Sequence, residues 1–67
     1  MSQIPDDGDR ALRVRRFELK PTDIIEVPRH GWLTVRWIRV FSRGVDIRFV
    51  ERTGKHSYSH GFVWKKI

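Results

Sequence analysis

Trp32-Leu33-Thr34-Val35-Arg36-Trp37-Ile38-Arg39-Val40-Phe41, then Ser42-Arg43-Gly44, then Val45-Asp46-Ile47-Arg48-Phe49, is the stretch on which the fold turns. Apolar and polar residues alternate along both arms, and a strand sends successive side chains to opposite faces. The pattern therefore predicts two antiparallel strands joined by a tight hairpin, with glycine supplying a positive φ at the turn. In the first arm the parity changes: Leu33, Val35 and Trp37 fall on one side, Ile38 and Val40 on the other. One extra residue near Trp37-Ile38 reconciles them, and a bulge of that kind bends a sheet.

The same alternation extends in both directions. Ala11 to Leu19 has Leu12 and Val14 on one parity and Phe17 and Leu19 on the other, which asks for a second bulge near Arg15-Arg16. Lys20-Pro21-Thr22-Asp23 reads as a turn with proline presetting φ, and Ile24-Ile25-Glu26-Val27 as a short strand closed by Pro28, before an Arg29-His30-Gly31 turn. After Phe49, Thr53-Gly54-Lys55-His56 reads as a hairpin and Ser57 to Lys66 as one last strand, with Tyr58, His60, Phe62 and Trp64 on one face. No segment has a helical period.

The expected fold is all-β, a strongly bent antiparallel meander of four or five strands that must curl to bury its apolar face. The order of a Leu19-Lys20-Pro21-Thr22-Asp23 turn, a short strand, a glycine turn, a long bent strand and a tight hairpin resembles SH3-like small barrels. The resemblance concerns architecture alone and transfers no functional residue. Thr22 stands where such barrels often have glycine.

Sixty-seven residues make one small domain, near the size at which a core alone sustains a fold. Residues 1–10, with Pro5, Gly8, Asp6, Asp7 and Asp9, read as a flexible acidic tail, and residues 11–67 as the barrel domain. There is no cysteine, hence no disulfide, thiolate metal site or thiol nucleophile. The start lacks the basic and apolar pattern of a secretory signal, and no run suits a membrane span, so a soluble cytoplasmic protein is expected.

The partner is suggested by charge. Fourteen Lys+Arg face eight acids, a net of +6; three of those acids lie in residues 1–9, so residues 10–67 carry 14 against 5, or +9. Ten of the fourteen bases are arginine, whose planar fork pairs two ways with phosphate and stacks on bases. With both bulges in place, Arg13, Arg15, Arg36, Arg39, Arg48, Arg52 and Lys65 all point away from the core, forming one cationic plate. Trp32 takes the parity opposite to Leu33 and Val35 and, with Tyr58 beside the Lys55-His56 turn, is the expected stacking platform; Trp37 and Trp64 are assigned to the core, and His60 to a packing position.

The expected function is binding of DNA or RNA through backbone phosphates, with aromatic stacking and little sequence preference. The plainer alternative is that the arginines are ordinary outward residues whose stems cover apolar surface. A rival reading is a protein-interaction module docking on an acidic or peptide partner, with a methyl-group cage of Trp32, Tyr58 and Asp46 as its narrow form. Strand edges leave homo-oligomer formation open. Attachment to a membrane has no amphipathic helix or lipidation signal behind it. His56 and His60, four apart on a strand, would be about 13 Å apart and hold no metal. Ser57, Ser59 and the histidines lack an acid or oxyanion hole, so neither enzyme activity nor a cofactor is expected.

Overall fold

The computed structural model describes residues 10–67, so the acidic tail expected at the N-terminus falls outside the described residues except for Arg10. Six antiparallel strands form one sheet: β1 (Ala11–Arg15), β2 (Ile24–Val27), β3 (Gly31–Val40), β4 (Gly44–Phe49), β5 (Lys55–Ser59) and β6 (Phe62–Lys66). Their order across the sheet is β1-β6-β2-β3-β4-β5. The run β2 to β5 is the expected meander, and β6 returns to lie between β1 and β2. No helix among the described residues is long and apolar enough to cross a membrane.

The expectation of a bent all-β sheet holds, with six strands in place of four or five. The extra strand comes from His60-Gly61, which divides the segment expected to be one strand into β5 and β6. The break is held by the backbone of Arg16, which donates its N–H to the Gly61 carbonyl at 2.8 Å, and by its Nη1, which donates to the Ser59 carbonyl at 2.9 Å. The end of β1 is thereby tied to the end of β5, the two outermost strands of the sheet.

The parity change after Val14 is absorbed differently from the expected bulge. A single 3-10 turn, Arg16–Glu18, follows Arg15 and rotates the chain so that Leu19 enters the core while Phe17 stays 44% exposed. In β3 the bulge is real but lies one residue earlier than expected. Register shifts between Val35, opposite Phe49, and Trp37, opposite Arg48, so Arg36 is the extra residue. Because side chains alternate, that displacement moves Trp37 from the core side to the outer side and leaves Ile38 inside.

Leu19, Ile25, Val27, Leu33, Val35, Val45, Ile47 and Phe49 form the core, with Val14, Ile38, Tyr58 and Val63 packed against it. Leu12 and Phe62, expected inside, are exposed.

The turns on either side of β2 share one construction. Asp23 N–H donates to the Lys20 carbonyl at 3.1 Å across Pro21-Thr22, and His30 N–H to the Val27 carbonyl at 2.9 Å across Pro28-Arg29. Each has proline first and a non-glycine residue second at positive φ, Thr22 at 79° and Arg29 at 72°. This geometry favours glycine at the second place. A β-branched residue there is strained by about 1–2 kcal/mol, and glycine returns about 0.5–1 kcal/mol through the unfolded chain. Thr22→Gly is therefore expected to raise the melting temperature by roughly 3–6 °C; a melting curve showing a fall would contradict the strain.

Candidate nucleic-acid interface

The outer face of β3, β4 and β5 is built by register. Trp37 and Arg39 on β3 stand opposite Arg48 and Asp46 on β4, which stand opposite Lys55 and Ser57 on β5. The guanidinium carbons of Arg39 and Arg48 each lie 5.8 Å from the centre of the Trp37 ring. This range lets the cations attract the electron-rich ring face. Arg36, placed outward by the bulge, joins Arg48 and Arg52 in lining a cavity of about 240 Å³ together with Phe49, Val50, Thr53 and Gly54.

Carboxylates could relieve repulsion among these arginines, but the two nearest along the chain, Asp46 and Glu51, are bonded to other side chains, although the Asp46 charge still acts on Arg39 opposite it. Asp46 accepts from Ser57 Oγ at 2.7 Å and pairs with Lys55 Nζ at 3.5 Å. The Ser57 hydrogen bond, more than the Lys55 charge, holds its carboxyl below the ordinary value. Glu51 lies between Arg48 and Arg52 in the sequence, yet its two oxygens accept from Thr34 N at 2.7 Å and Thr34 Oγ1 at 2.6 Å. Those bonds extend the edge of β3 beyond the end of β4 and lower the Glu51 carboxyl too. Asp23 accepts from Lys20 N at 2.9 Å and pairs with Lys65 Nζ at 3.6 Å. Glu18 accepts from Arg15 N at 3.4 Å. Among the described residues, no arginine side chain lies within ion-pair distance of a carboxylate.

The lowered carboxyls have a consequence for acid stability. A folded-state value below the unfolded one stabilises the fold at pH above the unfolded value, and this is lost as pH falls through the folded value. For Glu51 the loss sets in below its ordinary 4.5, and for Asp46 below 3.8. Glu51→Gln is expected to lower the melting temperature at neutral pH and to flatten its fall between about pH 5 and 3. An unchanged slope in melting curves taken across that range would remove Glu51 from the account.

A second aromatic and cationic group lies on the outer side of β1 and β6. Arg13 and Arg15 sit 4.8 and 5.1 Å from the centre of Phe62, Arg15 also 5.9 Å from Phe17, and Lys66 Nζ 5.0 Å from Trp32. The expected single plate is thus two groups, because β6 and β2 intervene between β1 and β3 and contribute Phe62, Trp64, Ile24 and Glu26 instead of arginine.

Beyond Trp37, Leu12 and Phe62, four placements differ from expectation: those of Lys65, Tyr58, Trp64 and His60, the last expected to pack and instead exposed. Lys65 does not face outward with the arginines: it stands opposite Ile25, on the core side, and is spent on Asp23. Tyr58 is not an open platform. It stands opposite Val45, half-buried against the core, with the Arg16 guanidinium carbon 4.9 Å from its ring centre. Burial raises its phenol above the ordinary value, against the partial opposition of Arg16. Trp64, expected in the core, is half-buried on the outer side with Arg13 opposite.

Trp32 is where the parity placed it, half-buried on the outer face opposite Glu26. His60 is exposed in the turn after β5, with Nε2 2.8 Å from the Phe41 carbonyl. His56 lies against Phe49, ring centres 5.4 Å apart. No cluster of three or more potential metal ligands exists among the described residues.

Sequence reasoning missed Trp37, Phe62, Arg16 and Lys66 as site residues. For Phe62, Trp64 and Lys66 a signal existed: their alternation restarts after Gly61, and reading that glycine as a break would have grouped them.

Comparison of the chain with protein-family models, with curated proteins and with solved structures finds no match. The reading of the site therefore rests on its chemistry.

Proposed function

We propose that this protein binds nucleic acid, with Arg39 and Arg48 beside Trp37 and Arg36 and Arg52 lining the adjoining cavity as the principal contact, and Arg13 and Arg15 beside Phe62 extending it. One observation carries the reading: among the described residues the arginines beside Trp37 make no ion pair with a carboxylate, while Glu51 accepts from threonine and Asp46, within the field of Arg39, accepts from serine and pairs with lysine. Guanidiniums in that state are preorganised for phosphate, each able to make two charge-assisted hydrogen bonds, and binding relieves their mutual repulsion. Contact with backbone phosphates carries little sequence information, so limited sequence preference follows.

The test is an anisotropy titration of a labelled oligonucleotide over a range of salt concentrations. The expected result is a linear fall of log affinity with log salt, alike for unrelated sequences, because phosphate neutralisation releases counterions. Affinity independent of salt would refute the reading.

Docking on an acidic protein is the second reading, favoured by Val40 and Phe41, 50% and 45% exposed at the tip of the β3–β4 hairpin, apolar surface that phosphate binding does not use. Poly-glutamate competing as strongly as the oligonucleotide would support it.

A further inference from the structure

Arg48 belongs to two neighbourhoods. Its guanidinium lies 5.8 Å from the centre of the Trp37 ring, and the same side chain lines the cavity shared with Arg36 and Arg52. An indole and a cluster of guanidiniums with one member in common is the arrangement that a single nucleotide requires, a flat apolar surface for the base and fixed donors for the phosphate beside it. Beyond the arginines the cavity is lined by Phe49, Val50, Thr53 and Gly54, which add no negative charge, and Glu51 has both oxygens committed to Thr34.

We infer that Trp37 and the Arg36–Arg48–Arg52 cavity form one nucleotide subsite, and that the face consequently selects single-stranded over duplex nucleic acid. The inference rests on the nucleic-acid reading above and adds strandedness to it. In a duplex the faces of the bases are covered by their neighbours, so the indole gains nothing from contact. A single strand can turn a base onto the ring, a gain of roughly 5- to 100-fold in affinity per stacked base. The curvature of the sheet acts in the same direction. The arginines stand on the outer wall of a sheet curled around its core, in a molecule only 32 × 23 × 19 Å. A stiff duplex meets such a convex wall along a short arc, whereas a single strand bends to follow it.

The experiment compares unpaired oligo(dT) with a duplex of the same length, at one salt concentration, for the whole protein and its Trp37→Ala and Trp37→Phe variants, each checked for folding by circular dichroism. The native protein is expected to bind the single strand at least about ten-fold more tightly. Trp37→Ala should lose most of that advantage and leave duplex affinity within about two-fold, while Trp37→Phe, which keeps an aromatic face, retains it. Equal or tighter binding of duplex by the native protein would overturn the inference, as would a Trp37→Ala variant that weakens both ligands alike. Binding to neither ligand would refute the nucleic-acid reading itself, a different result from binding both equally.

Discussion

Alanine at Arg36, Arg39, Arg48 and Arg52 together is expected to lower affinity for an unpaired oligonucleotide by roughly 10²- to 10³-fold at about 0.1 M salt. It should also reduce the slope of log affinity against log salt by about 3, because each phosphate contact to a single strand contributes about 0.7 to that slope. The four side chains are exposed, and none holds a carboxylate among the described residues, so their removal leaves no buried charge unpaired. The fold should survive, less the small contribution of their stems over Trp37. Arg10→Ala with Arg43→Ala is the comparison. These two cations stand just before β1 and at the β3–β4 hairpin, outside the Trp37 cluster, and their loss lowers the general positive potential without touching the proposed contact. A slope change of 1 or less is expected for this pair. If both variants lost slope in simple proportion to charge removed, the ligand would be responding to the net +9 of residues 10–67, and the cluster would have no special part.

The degree to which this cluster could be read from the amino-acid order depends on one residue. Alternation across Val45 to Phe49 is unbroken, and the buried set Val45, Ile47 and Phe49 follows directly from it. In β3 the alternation shows that one residue must be extra but not which one. Placing it at Trp37-Ile38 buries Trp37, whereas the bulge at Arg36 turns it to the outer face, half-buried, and hydrophobicity alone prefers the former. The deciding contribution lies outside the strand: Glu51, from the loop after β4, occupies Thr34 N–H and fixes where the β3–β4 pairing starts. Seventeen residues separate Thr34 from Glu51, and a local pattern carries no trace of that contact. The same limit applied at Arg16. Its role in turning the chain depends on carbonyls of Ser59 and Gly61, more than forty residues away, and only the change of parity marked the place. By contrast, the outward orientation of Arg13, Arg15, Arg39 and Arg48 required only strand parity, which is why these residues were found.

Gly44→Ala is expected to cost about 3 kcal/mol or more and to lower the melting temperature by roughly 12–24 °C. The sequence suggests that Gly44 serves a turn needing positive φ, but its φ is not in that region. The requirement is space. A Cβ built at Gly44 runs into the backbone carbonyl oxygen of Tyr58 and crowds Ser59 Cα at 3.2 Å. Both neighbours are main chain of β5, paired with β4 at Gly44↔Ser59 and Val45↔Tyr58, and cannot swing aside as a side chain can. Relief requires β5 to move away from β4, which breaks ladder hydrogen bonds and opens the core beside Val45 and Ile47, 1% and 0% exposed. A domain of this size has only about 3–9 kcal/mol of total stability, so the variant should be largely unfolded at physiological temperature. Gly61→Ala provides the internal contrast, since its nearest neighbour is Arg16 Nη1 at 3.2 Å, the end of a long side chain that can shift by a fraction of an ångström. A loss below about 1 kcal/mol is expected there. Thermal melts of the two variants side by side decide the matter: similar melting temperatures would show that β5 does not lie against Gly44 as described.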